Sequence, residues 1–352
     1  MSYRPAQPAQ CIIPPYLLEA LVRNGTAEQR DWALRTLSLD ASLRMARVLS
    51  GPARPPVAPG RLTAQPRPQP QRTIFDAQGN ETLPGREVRA EGGSPSADVA
   101  VNEAYDGLGD TFGCYRDAFG RDSIDDAGMP LRATVHFGQA WDNAQWNGDA
   151  MVFGDGDGTL FGSFTASIDV IGHELTHGVT QYEAGLAYLD QSGALNESIS
   201  DCFGSLVKQF ALGQTAAQAD WLIGADLVLP GFHGSALRSM SAPGTAYDDP
   251  VLGKDPQPAT MRDYVSTAQD NGGVHINSGI PNRAFCLVAT ALGGHSWEQA
   301  GTIWYDALRD ARVGPNTRFA GFAQATLRAA QHAYGDAASA TVRSAWTDVG
   351  VL

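Results

Sequence analysis

The chain has 352 residues, 43 % of them hydrophobic and 18 % charged, with a formal net charge of −13. That is long enough for two compact domains with their own cores and too apolar for a disordered chain, while the acidity argues against nucleic acid and anionic membranes as main partners. The charge is uneven: residues 1–71 hold nine Arg and four acidic residues, the remainder sixteen basic and thirty-four acidic, so a basic front segment precedes an acidic body on which it can dock by complementary charge.

The opening MSYRPAQPAQCIIPPYLL has no apolar run of signal-peptide length behind a basic head. No stretch approaches transmembrane length. The expectation is synthesis in the cytoplasm without an ordinary secretion signal, any export taking a non-standard route. Residues 11–49 read as a small helical unit. Its first helix starts on the prolines of PPYLLEALVRNG and stops at Asn24-Gly25. Its second carries apolar residues at helical spacing, with Thr26 and Gln29 as a capping box. Residues 50–72, rich in Pro, Arg and Ala, predict an exposed linker and the preferred place for a proteolytic cut.

From Thr73 the texture changes. RTIFDAQG and REVRAEG predict a strand, a turn and a strand, and ADVAVNEAYDGLGDTFGCYRDAFG a helix. LRATVHFG, NAQWNG and AMVFGDGDG predict short strands. FTASIDVIGHELTHGVTQYEAG predicts one long helix closed by Gly185, and helices dominate from 196 to the end. The domain reading is a front segment 1–49, a linker 50–72, a β-rich unit 73–182 and a helical unit 183–352. Cys11, Cys114, Cys202 and Cys286 form no CxxC pair, so neither a disulfide framework nor a cysteine zinc knuckle is expected.

Chemistry concentrates in SIDVIGHELTHGVTQY, residues 167–182. On a helix His173 and His177 share a face and can offer two nitrogens to one ion, with Glu174 beside the ion to take a proton from bound water. A hydrolytic zinc site needs a third protein ligand and an open position. Glu197, in GALNESISDCFGSL, is the candidate, and Asp201 one turn later can accept the far N–H of a ligating histidine. The residues alone leave His275 competing with His136, His233, His295 and His332.

HELTH followed by NESISD resembles the thermolysin family of zinc metalloendopeptidases. The likeness runs from about residue 73 to the C-terminus through ADVAVNEAYDGLGDTF, WNGDAMVFGDGDG, ALRSMSAPG, DNGGVHINSGIPNRAF and AWTDVGV. It implies an α+β fold in two domains, a β-rich half and a mainly helical half with the zinc helix between them. It implies Zn2+ held by His173, His177 and Glu197, Glu174 as base and proton shuttle, and His275 and Tyr188 as donors to the oxyanion, with Asp270 orienting His275. Asp201 and Asn196 would support the ligating histidines. Asn143, Ala144 and Arg238 would hold the substrate main chain, and Phe161, Phe164, Val170 and Leu237 would line a pocket for Leu, Phe, Ile or Val after the cut bond. The rivals are a catalytically silent zinc-binding interaction module and a short-peptide exopeptidase.

The sequence also departs from that family. Asp169, Asp220 and Asp226 of a double calcium site are retained, but Lys208 and Ala225 stand where calcium-dependent members carry Glu, and Ser235 replaces an acidic ligand of a second loop. Lys208 pairing with Asp169 is the expected substitute for calcium. Asp155 and Asp157 read as turn residues. CIIPPYLLEAL resembles the short pro-segment of the protealysin-like branch, which implies an inhibitor or folding aid docked on the peptidase body. For Cys11, two readings stay open: a thiolate capping the zinc, or an apolar residue packed beside Ile12 and Ile13.

Overall fold

The protein is described from a computed structural model covering residues 10–50 and 68–352; most of the expected linker, and with it the expected processing site, lies outside the described residues. The front segment opens on β1 (Gln10–Cys11) and continues as α1 (Pro15–Asn24) and α2 (Ala27–Ser50). Pro15 sits in the first turn of α1, where no N–H is needed, and the N–H of Gly25 returns to the Leu21 carbonyl. The expected capping box forms. Gln29 N–H donates to Thr26 Oγ1 at 3.2 Å, and Thr26 N–H to Gln29 Oε1 at 2.9 Å. Leu17, Leu18, Ala20 and Leu21 make the buried face of α1.

The body begins with β2 (Arg72–Asp76), β3 (Arg86–Ala90), α3 (Val99–Phe119), β4 (Leu131–Val135), β5 (Ala144–Trp146) and β6 (Met151–Phe153). They form a mixed sheet in the order β1-β5-β6-β4-β2-β3, in which β2–β4 and β4–β6 run parallel and the other pairs antiparallel. The front segment thus supplies the edge strand next to β5. Helix α3 covers the sheet, its first turn capped by Asp98 and its last stopped by Gly120 in the left-handed conformation.

Two central helices come next, α4 (Ile168–Tyr182) and α5 (Asp190–Leu212). Helix α4 begins four residues later than FTAS suggests, because Phe164 N–H bonds the Gly154 carbonyl beyond β6 and holds that stretch to the sheet side. Helix α5 begins six residues before Asn196, so Glu197 and Asp201 lie inside it rather than at its start. The two helices cross at glycines. A Cβ on Gly204 would sit 2.4 Å from the Asp169 carbonyl oxygen and 3.1 Å from the His173 nitrogen, and one on Gly172 would sit 3.1 Å from the Gly204 Cα. That close approach brings the acidic side chains of α5 to the histidines of α4.

Beyond α5 come β7 (Leu222–Ile223), β8 (Arg238–Ser239), α6 (Asp270–Asn277), α7 (Gly279–Leu292), α8 (Ala300–Leu308), α9 (Phe319–Tyr334) and α10 (Asp336–Asp348). The indoles of Trp304 and Trp346 stack at 6.0 Å, with Phe285 and Phe322 edge-on to Trp304, in the core of this helical half. Helix α4 touches β1 and β5 on one side and α5 on the other, so it forms the floor between the two halves. No helix among the described residues is long and apolar enough to cross a membrane.

Candidate active site

His173, Glu174 and His177 are wholly buried on α4, as are Asn196, Glu197 and Asp201 on α5. His173 Nε2 lies 3.5 Å from Glu197 Oε2, and His177 Nε2 lies 3.4 Å from Glu197 Oε1. Both histidine Nε2 atoms and Glu197 Oε2 have no hydrogen-bond partner among the described residues. Three buried polar atoms left unpaired at one point are costly unless something binds there. The opposite ring nitrogens are committed: His173 Nδ1 lies 2.8 Å from Asp201 Oδ1, and His177 Nδ1 2.8 Å from Asn196 Oδ1. Those oxygens only accept, so each Nδ1 carries the proton and each Nε2 presents a lone pair to the centre. The two nitrogens and one carboxylate oxygen lie within 4.8 Å of one another, which fits a tetrahedral Zn2+ with one position open.

Asp201 is a hub. It accepts from His173, from Asn282 Nδ2 at 2.8 Å, and from Arg238 through Nε at 2.9 Å and Nη2 at 2.8 Å. Burial opposes its charge, but Arg238 and His173 hold its carboxyl at about 2. Glu174 is the opposite case. Burial pushes its carboxyl up to about 8, against the pull of His173 and of the Trp146 N–H, which donates to Oε2 at 2.8 Å. Its Oε1 has no hydrogen-bond partner among the described residues.

His275 arrives from α6. Asn271, Gly272 and Gly273 all have positive φ, which lets the chain double back so that Asp270 takes both the His275 backbone N–H, at 2.8 Å, and Nδ1, at 2.6 Å. Burial would lower the imidazole, but Glu197 and Asp270 raise it to about 9, so the ring is cationic and Nε2 is a donor. The Tyr188 hydroxyl lies 3.1 Å from that Nε2 and donates to Glu197 Oε1. Of the five histidines left open by sequence, only His275 reaches the cluster. His136 is instead clamped between Asp98 and Asp155, and His295 bonds the Gln214 carbonyl.

Two family models cover the body. Residues 67–181 match the thermolysin metallopeptidase catalytic domain and residues 184–351 the thermolysin metallopeptidase alpha-helical domain. The chain is 53 % identical to an extracellular metalloprotease of Pectobacterium carotovorum subsp. carotovorum, over 98 % of this chain and 97 % of that one. It is 45 % identical to Protease PrtS of Photorhabdus sp. (strain Az29), over 97 % and 91 % of the two chains. The solved precursor of protealysin, a metalloproteinase from Serratia proteamaculans, superimposes with a TM-score of 0.89 at 52 % identity, covering 98 % of this chain and all of that one. The chain belongs to the thermolysin metallopeptidase family. It is a zinc metalloendopeptidase of the protealysin-like kind, acting on peptide bonds.

In this thermolysin-like cleft the front segment lies along β5. Gln10 and Cys11 pair antiparallel with Trp146 and Gln145, and Ile12 N–H donates to the Ala144 carbonyl at 3.2 Å. Asn143 Oδ1 accepts from Ile13 N–H at 3.1 Å, and Arg238 Nη1 donates to the Ile12 carbonyl at 3.2 Å. Helix α2 adds Asp40, which accepts from Trp141 Nε1 at 3.0 Å and Asn143 Nδ2 at 2.8 Å, and Arg47, whose guanidinium bonds the Trp146 carbonyl and Gln181. The Cys11 thiol points to the Ile13 carbonyl and Arg44 rather than into the ligand cluster, and burial raises it well above an ordinary thiol. That favours the apolar reading over the zinc cap.

Phe161, Phe164, Val170 and Leu237 are all buried in the one cluster that also contains Ile12 and Ile13. At the expected double calcium position, Lys208 Nζ lies 2.8 Å from Asp220 Oδ2 and 3.4 Å from Asp169 Oδ2, while Ala225 opens a short 3-10 turn. Asp157 accepts from the N–H groups of Thr159, Leu160 and Phe161, as a turn residue does. The sequence does not disclose Asn282, the Trp146 N–H, or Gln257, whose Nε2 supports the His275 carbonyl at 2.8 Å.

Proposed function

We propose that this zinc peptidase is a neutral endopeptidase that cuts before bulky apolar residues and is made latent by its own front segment. Zinc, when bound by His173, His177 and Glu197, supplies a Lewis acid that polarises a carbonyl and acidifies water. Glu174 receives the water proton on its free Oε1, with the Trp146 N–H fixing the other oxygen, and passes it to the leaving amine. His275 and Tyr188 donate to the carbonyl oxygen as charge grows there, and Asp270 keeps His275 aimed. Asp201 and Asn196 hold the ligating imidazoles in one tautomer. Arg238, Asn143 and Ala144 align the peptide as an added strand, while Phe161, Phe164, Val170 and Leu237 form the pocket for the residue after the cut.

The single observation that supports this reading best is the convergence of unpaired His173 Nε2, His177 Nε2 and Glu197 Oε2 beside the His275–Tyr188 donor pair. Latency is supported by the strand from Gln10 to Ile13, which fills the edge of β5 that a substrate would need. Residues 1–49 act as the pro-segment, 50–72 as the place of its removal, and a β-rich and a helical peptidase unit divide near 182. The chain depends little on calcium, since Lys208 already neutralises Asp169, and it acts outside the cell, like the relatives named extracellular.

A catalytically silent module finds no support, because every residue the chemistry needs is at the site and the relatives are named proteases. The test is digestion of casein, with the products sequenced. Internal cuts before Leu, Ile, Phe and Val, lost in Glu174→Gln, are expected; release of terminal residues only, or cuts before charged residues, refutes the specificity.

A further inference from the structure

Of the amides in the front segment, one is singled out by its surroundings. The Cys11 carbonyl oxygen lies 3.1 Å from His275 Nε2, the same donor that stands 3.5 Å from Glu197 Oε2 and 3.1 Å from the Tyr188 hydroxyl. The next groups along the chain are held one by one: Ile12 N–H by Ala144, Ile12 carbonyl by Arg238, Ile13 N–H by Asn143. Ile12 and Ile13 are wholly buried. The strand therefore lies in one register, with a single carbonyl presented to His275 Nε2 beside the ligand cluster and a single amide nitrogen after it.

We propose that the Cys11–Ile12 bond sits at the reacting position and that the precursor hydrolyses it in its own cleft. This rests on the peptidase reading of the site. Water adds to the Cys11 carbonyl carbon and the C–N bond breaks. Cys11 ends as a carboxylate and Ile12 as an amine, and the water proton travels through Glu174 to the Ile12 nitrogen. The two sides of the bond are anchored unequally. The amine side continues into α1, whose Leu17, Leu18 and Leu21 are buried. The acyl side is held in the sheet by the pairing of Gln10 and Cys11. Residues 1–11 leave, and Ile12 remains as a new N-terminus under Arg238 and Asn143. The clipped chain is still inhibited from the amine side, so this cut is distinct from the linker cut that frees the enzyme. An Ile after the cut bond also agrees with the pocket assigned to bulky apolar residues.

The experiment tracks the zinc-loaded full-length chain by intact mass and N-terminal sequencing over a hundredfold range of concentration, beside Glu174→Gln, and a quenched reporter peptide is given to a parallel sample of each chain after trace trypsin has cut the 50–72 linker. Loss of residues 1–11 with Ile12 as the new terminus, at a rate independent of concentration and absent in Glu174→Gln, is expected. Ile12→Leu should cut within ~10-fold of wild type and Ile12→Asp at least ~100-fold more slowly. Because Ile12→Asp also loosens docking, amide exchange at residues 12–13 is measured in the Glu174→Gln chain, where protection of both amides is expected. A chain that cuts the reporter but keeps Cys11–Ile12 intact overturns this inference and leaves the peptidase reading standing. Exchange-labile Ile12 and Ile13 overturn the register itself. A chain that cuts neither itself nor the reporter sinks the peptidase reading and this inference with it.

Discussion

Lys208→Met removes the cation that lies between Asp169 and Asp220. Asp169 is wholly buried and holds three partners: Lys208 Nζ at 3.4 Å, Ser167 Oγ at 2.5 Å and the Gly224 N–H at 3.3 Å. At an effective dielectric of ~20, the pair at this distance is worth about 5 kcal/mol of Coulomb attraction. The ammonium recovers part of that by returning to water in the unfolded chain, and Asp169 keeps two hydrogen bonds, so a net loss of ~2–4 kcal/mol is expected, at or just below the range for breaking a buried ion pair. For a body of this size that lowers Tm by roughly 3–7 °C. Melting is measured in the Glu174→Gln background, where the protein cannot digest itself. The sign with pH is fixed by Asp169, whose carboxyl burial already raises and Lys208 partly lowers. Without Lys208 its folded pKa rises further above the unfolded value. The penalty is then present at neutral pH and relieved as pH falls through the folded value, so the two melting curves converge in acid. Lys208→Glu should instead make Tm rise with millimolar calcium while wild type stays flat. A Lys208→Met melt within about 1 °C of wild type, below that expected shift, would refute the reasoning, as would a wild-type chain that calcium stabilises strongly.

The crossing of α4 and α5 gives the next prediction. Gly204→Ala puts a Cβ 2.4 Å from the Asp169 carbonyl, costing ~1–3 kcal/mol by overpacking and weakening zinc in a chelator competition, because Glu197 is pushed off its histidines. His136 is raised by Asp98 and Asp155 against burial, which lowers it. It contributes stability fully below the unfolded value of about 6.5, lost as pH rises through the higher folded value, so the Tm advantage of wild type over His136→Gln should shrink as pH rises above about 6.5. Burial pushes Asp40 up to about 6 at the interface of α2 with Trp141 and Asn143. Docking of the front segment is therefore firmest below the unfolded value and weakens as pH rises through about 6. Amide exchange over residues 27–50, corrected for intrinsic rate, should show this in Glu174→Gln and not in Glu174→Gln/Asp40→Asn.

The features legible in the chain alone are the periodic and the local ones. His173 and His177 share a helical face because 3.6 residues make a turn, and Thr26 and Gln29 bond each other because a capping box lies within four residues. Sequence misplaces the start of α4 because FTAS is as helix-compatible as the IDVI after it; Phe164 is withheld by a bond to Gly154, a residue outside the helix. It misses the start of α5 because SGALN carries little amphipathic signal. Asn282, Gln257 and the Trp146 N–H are illegible for one shared reason: each serves the site across long stretches of chain, and nothing local marks it. Resemblance to the thermolysin family, rather than periodicity, singles out Tyr188 and Arg238. In the structure Tyr188 donates to Glu197 and Arg238 to Asp201.

The strand at the sheet edge also sets an order of events during synthesis. Its first partners, Ala144 to Trp146, emerge from the ribosome before Arg238, and Arg238 before His275. The stretch from residue 146 to 275 takes roughly 6–26 s to make at ~5–20 residues per second. The groove can be filled along β5 throughout that interval. On the latency proposed above, the last histidine to be made then joins a groove whose edge can already carry its peptide, and the cell making the chain never holds an open, finished protease.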